Sequence, residues 1–158
     1  MHYEIDAVVS GGQTGADRAA LDWALRERVR HRGWCPAERW AEDGRIPDVY
    51  ELDETPSADP AQRTEWNVRD SDGTVVMSLG NEVAGGTLAT IAFANAWRRP
   101  CLHLRSADRE PADQLRQFVR EHSIRNLNVA GPRASEEPGI GEFVTRVLGG
   151  GLRIPLVD

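Results

Sequence analysis

The chain has 158 residues, with 19 Lys+Arg against 25 Asp+Glu and a formal net charge of −6. That length, with 40% hydrophobic and 28% charged residues, predicts a single domain over 1–158 with an ordinary buried core. All the basic residues other than histidine are arginine, and the lack of lysine excludes a Walker A loop, a pyridoxal-phosphate Schiff base and a lysine nucleophile.

Cys35 and Cys101 stand far apart without partners at metal spacing, which favours neither a disulfide framework nor a zinc site. No apolar run approaches the ~18 residues of a membrane span, and the first residues lack signal-peptide character. A cytoplasmic protein with no membrane partner is expected. The acidic balance argues against nucleic acid as a partner.

Residues 5–10 read as the first strand. The loop Gly11-Gly12-Gln13-Thr14-Gly15 follows, and a helix starts near Ala16, with Thr14 and Asp17 spaced as a capping box. Leu21, Leu25 and Val29 give that helix a buried stripe, and Gly33 ends it. The basic cluster Arg26, Arg28, Arg30, His31 and Arg32 falls in its last turns, where it complements the helix dipole. Trp34-Cys35 forms a short second strand. Residues 36–60, with Pro36, Pro47, Pro56 and Pro60, read as an irregular segment that serves as a lid or an interface.

A helix begins at Asp59-Pro60, with proline at its first position, and carries Arg63, Trp66, Asn67 and Asp70. Residues 73–79 form the third strand and 80–86 a loop. The helix over 87–98 is expected to be buried through Leu88, Ile91, Ala92 and Trp97. Residues 101–104 are the fourth strand, 111–122 a helix buried through Leu115, Phe118 and Val119, and 127–130 the fifth strand. The last helix buries Ile140, Phe143, Val144, Val147 and Leu148 and ends at Gly149-Gly150-Gly151. The alternation predicts an α/β, doubly wound, mainly parallel five-stranded sheet with helices on both faces. Its expected order is 2-1-3-4-5, with strands one and three adjacent at the switch point.

The loops after strands one and three, Gly11 to Gly15 and Gly85-Gly86-Thr87, each open a helix. Unpaired amides at a helix N-terminus attract anions, glycine admits a phosphate without a Cβ clash, and Thr14 and Thr87 add hydroxyl donors. The expected site therefore comprises Gly11, Gly12, Gln13, Thr14, Gly15, Gly85, Gly86 and Thr87. Arg63, Asn67, Ser71 and Asp72 join from the helix after the proline-rich segment, and Arg133 from the loop after strand five. Trp40 and Trp66 are candidates to stack on a heterocycle. The glycine spacing does not match a dinucleotide fingerprint, and no histidine, catalytic residue or protein-bound metal site is assigned.

The blocks Ser10-Gly11-Gly12-Gln13-Thr14-Gly15-Ala16-Asp17, Arg63-Thr64-Glu65-Trp66-Asn67-Val68 with Ser71-Asp72, Gly85-Gly86-Thr87 and Leu127-Asn128-Val129-Ala130-Gly131-Pro132-Arg133 resemble the putative molybdenum carrier family of the SLOG superfamily. The resemblance implies a Rossmann-like domain that forms a homo-oligomer, a dimer or tetramer. It also implies a phosphorylated ligand, either the molybdenum cofactor (molybdopterin) or a nucleotide. The superfamily includes phosphoribohydrolases, whose Pro-Gly-Gly-x-Gly-Thr-x-x-Glu signature supplies a glutamate at the glycosidic bond. In the matching stretch Ala84-Gly85-Gly86-Thr87-Leu88-Ala89-Thr90, Thr90 stands where that glutamate falls, and a threonine cannot act as a carboxylate base. The implied function is a small-ligand binding protein. The alternatives are a nucleoside-monophosphate N-glycosidic hydrolase and a nucleotide-sensing module.

Overall fold

The apolar runs become the strands of one parallel sheet. The computed structural model describes residues 2–155. Its five-stranded sheet comprises β1 (Ala7–Val9), β2 (Arg30–Arg32), β7 (Gly73–Ser78), β8 (Cys101–Arg105) and β9 (Asn126–Ala130), in the order β2-β1-β9-β7-β8. All four pairings are parallel. The helices are α1 (Ala16–Glu27), α2 (Pro60–Arg69), α3 (Gly85–Ala96), α4 (Pro111–Glu121) and α5 (Ile140–Leu152).

Side chains alternate across the sheet. Val8, Val75, Met77, Leu127 and Val129 join Trp23 of α1, Leu115 of α4 and Phe143, Val144 and Val147 of α5 in the main core. The opposite face carries Thr74 and Asn128, register partners that are both buried, with the Asn128 amide donating to the Thr74 hydroxyl at 3.2 Å. Helices α2 and α3 pack together on this second, more polar side.

The observed order corrects the expected one. The last strand, β9, lies between the first and third, so strands one and three are not neighbours. Strand order is set by long-range pairing, which local periodicity does not encode. A second correction concerns the first helix. It ends at Glu27 with Arg28 in the left-handed conformation, and Arg30, His31 and Arg32 form the edge strand β2. Trp34-Cys35 is a strand, β3, but pairs outside the main sheet with β6 (Asp53–Glu54). Helix α5 runs through Gly149-Gly150-Gly151 to Leu152, because its packing against α1 and α4 overrides glycine's weak propensity.

Residues 36–60 are made of short elements: a 3-10 turn (Ala37–Arg39), the hairpin β4 (Trp40–Ala41) with β5 (Gly44–Arg45), and β6. Cys35, Ala41, Ile46 and Tyr50 pack with Leu21 of α1 as a separate small core. The buried Arg39 guanidinium donates to the carbonyls of Ile46, Pro47, Tyr50 and Leu52. One cation thereby satisfies backbone acceptors that regular structure would otherwise have to pair.

Candidate functional site

A groove of about 330 Å³ opens at the carboxyl ends of β1, β9 and β7, the usual ligand position in an open α/β sheet. With β9 between them, the ends of β1 and β7 stand about 10 Å apart at ordinary strand spacing. Gly11 and Gln13 line one side and Gly85, Gly86, Thr87 and Thr90 the other. Asn128, Ala130 and Gly131 form the floor, Arg63 and Asn67 come from α2, and Arg133 and Glu136 from the loop before α5.

The two glycine loops play different parts. A Cβ on Gly12 (φ +79°) would lie 2.8 Å from Leu52, and one on Gly15 (φ +79°) would collide with the backbone at Pro132. These glycines fit the first loop against its neighbours. Neither they nor Thr14 line the groove: the Thr14 hydroxyl donates to the Glu42 carboxylate. The expected Thr14–Asp17 box is absent, and the Asp17 carboxylate accepts from the Gln13 amide at 3.3 Å. By contrast, no atom approaches within 4 Å of a Cβ built on Gly85 or Gly86, and α3 has no side-chain cap. Its first amides face the groove unpartnered by side chains.

Arg63 is buried and reaches under the first loop, donating to the Gly11 carbonyl at 3.0 Å. Its guanidinium lies 3.6 Å from Asp17. Burial pushes the Asp17 carboxyl up against the pull of Arg63, and the same burial, with a push from Arg133, presses the Arg63 guanidinium down. The groove thus holds a nearly desolvated cation and a second, half-exposed one. Gln13 is buried; its side-chain Oε1 accepts from the Thr14 and Glu42 backbone amides, while its Nε2 has no partner among the described residues.

Asn67, expected in the site, borders the groove but is committed to the Trp34 backbone, accepting from its N–H at 2.7 Å and donating to its carbonyl at 2.9 Å. Ser71 and Asp72 lie at the opposite end of the sheet. The Ser71 hydroxyl donates to the Asn67 carbonyl at 2.5 Å, and the Asp72 carboxylate accepts from the amides of Arg125 and Asn126 as β9 begins. They are structural because the turn after α2 leads back to the start of β7.

Sequence reasoning did not place Asp17 and Asn128 in the groove, and it weighed Thr90 and Glu136 only for the missing motif glutamate. A polar residue amid a buried strand was the available signal for Asn128. It also left unassigned the Ser78–His103 pair, 2.7 Å apart, but Ser78 is fully buried and does not line the groove. The expected burial of α3 through Leu88 and Trp97 is reversed: Leu88 is 53% exposed and Trp97 43%, while Thr87, Thr90 and Ala94 face inward.

The parallel sheet with helices on both faces defines a Rossmann-like α/β domain. Residues 8–151 match the circularly permutated YpsA SLOG family, and the chain belongs to it. No curated protein matches the chain. A crystal structure of a putative molybdenum carrier protein from Syntrophus aciditrophicus superposes with a TM-score of 0.91 at 41% sequence identity, covering 97% of this chain and 98% of that one. Among the described residues no helix is long and apolar enough to cross a membrane, and no group of three or more His, Cys, Asp or Glu could hold a metal ion.

Proposed function

We propose that this groove binds a phosphorylated small molecule carrying a planar heterocycle, and that the protein acts as a carrier or sensor of it rather than as an enzyme. The observation that carries this reading is Arg63: a buried guanidinium with one carboxylate at 3.6 Å, facing the same groove as Arg133 and the uncapped start of α3. Such a cradle favours an anion brought out of water.

The related carrier's name suggests the molybdenum cofactor as that ligand. The residues fit its phosphate end, through the α3 amides and the two arginines, and the unpartnered Gln13 Nε2 fits an acceptor on a ring. Cys35 sits in the small core under residues 36–60, and neither it nor Cys101 lines the groove. When bound, that cofactor would bring a metal held by its own sulfur ligands, and this chain's residues would grip phosphate and pterin. A nucleotide makes the same demands. The test is mass spectrometry of ligand released from natively purified protein: a phosphorylated heterocycle is expected, and a ligand without phosphate would overturn the reading.

A second reading, a nucleoside-monophosphate N-glycosidic hydrolase, is favoured by Glu136, which borders the groove and could supply the missing carboxylate. We also propose self-association through the outward face of α3, where Leu88, Ile91 and Ala92 line an open hollow together with Asn95, Arg99 and Cys101. Leu88→Arg should then convert an oligomer to a monomer in light scattering.

A further inference from the structure

Of the five tryptophans, four are occupied. Trp23 is buried with Tyr3 packed edge-on at 5.6 Å. Trp34 and Trp66 meet edge-to-face at 4.8 Å, Arg69 covers the Trp66 ring at 4.5 Å, and the Trp34 indole N–H donates to Asp70. Trp97 donates to Glu65. Trp40 alone is 45% exposed with no hydrogen-bond partner among the described residues, although β4 fixes its backbone in a hairpin.

Trp40 lines a shallow hollow with Ala37, Glu38, Ala58 and Pro60, which shares Pro60 and Arg133 with the groove. The Arg133 guanidinium lies 5.8 Å from the Trp40 ring centroid and only loosely (4.0 Å) against Glu136. An exposed indole beside a proline, with a guanidinium over its ring, is suited to stacking on a flat, polarisable ring.

We propose that Trp40 is the stacking platform for the ligand's heteroaromatic ring, with Arg133 spanning the ring and phosphate subsites. The inference rests on the reading of the groove as a phosphate site. It assigns the hairpin of residues 40–45 a direct role in recognition: Trp40 discriminates phosphorylated heterocycles from bare sugar phosphates. Glu42 of the same hairpin accepts from the Thr14 and Ser135 hydroxyls and so ties the platform to both neighbouring loops.

Titration calorimetry with GMP and ribose 5-phosphate tests this on wild type, Trp40→Ala and Trp40→Phe. GMP supplies the ring and ribose 5-phosphate its phosphate and sugar alone. Wild type should bind GMP at least about tenfold more tightly, the usual scale for base–aromatic stacking. Trp40→Ala should erase most of that difference while leaving ribose 5-phosphate affinity and melting temperature unchanged, and Trp40→Phe should retain part of it. Equal wild-type affinities for the two ligands, an unchanged GMP preference in Trp40→Ala, or equal weakening of both ligands would overturn the platform alone. Failure of both ligands to bind wild type would overturn the phosphate reading and the platform with it.

Discussion

The Arg63 guanidinium and the Asp17 carboxylate lie 3.6 Å apart, both nearly withdrawn from water, at the point where α2 passes beneath the loop after β1. Removing one partner of such a pair leaves the other charge buried and uncompensated. Arg63→Gln should therefore lower stability by about 3 kcal/mol and also weaken binding of a phosphorylated ligand. Adding Asp17→Asn should restore at least half of the stability but none of the affinity. Denaturant melts beside calorimetry separate the two; recovered affinity in the double variant would make Arg63 a purely structural residue.

The glycine loops should respond in opposite ways. Gly12→Ala forces a side chain into φ +79° against Leu52 and should cost about 1–3 kcal/mol even without ligand. Gly86 has open space around its Cβ position, so Gly86→Val should leave the melting temperature unchanged and block approach of a phosphate to the α3 amides. A Gly86→Val variant that binds ligand as wild type does would remove α3 from the site.

Thr90 spends its hydroxyl on the Gly86 carbonyl one turn back, at 2.9 Å, and offers no carboxylate to the groove. No base release from AMP, GMP or CMP is expected, and Thr90→Glu tests whether the geometry still suits that chemistry. Wild-type turnover that disappears in Glu136→Gln would promote the hydrolase reading instead.

His103 gives stability a pH dependence. Burial, helped by Arg105, pushes its imidazole below the ordinary value, so the folded state releases a proton that the unfolded chain still holds. The contribution is therefore complete above about pH 6.5 and is lost as pH falls through that value toward the lower folded pKa. Urea midpoints should climb as pH rises toward about 6.5 and then level off for this group. The His103→Gln variant should lose that part of the slope, and an unaltered slope would show that the charge change lies elsewhere.

Element existence was largely legible because β1, β7, β8 and β9 lie in short, largely apolar runs, unlike β2 with its Arg30-His31-Arg32, and helices carry start signals such as Asp59-Pro60, where the Asp59 carboxylate does accept from the Ala61 amide. Burial was less so: α3 is apolar on most sides, and nothing local says that Leu88 faces out while Thr87 and Thr90 face in. In the site, Gly11, Gln13, Arg63, Asn67, Gly85, Gly86, Thr87 and Arg133 were readable as residues that border the groove. The errors at Ser71 and Asp72 came from treating helix-face proximity as continuing past the end of α2. The short elements within 36–60 were not legible because one buried arginine, Arg39, pairs carbonyls that a sheet would otherwise pair, and no spacing rule reveals that.

The middle strand of this sheet is the last one the ribosome makes. When β1, β2, β7 and β8 have all emerged, the sheet is still two separate pairs, β1 with β2 and β7 with β8. Only the arrival of Asn126–Ala130 joins them and lays the floor of the groove. A nascent chain halted before residue 126 holds both glycine loops yet no shared cleft between them.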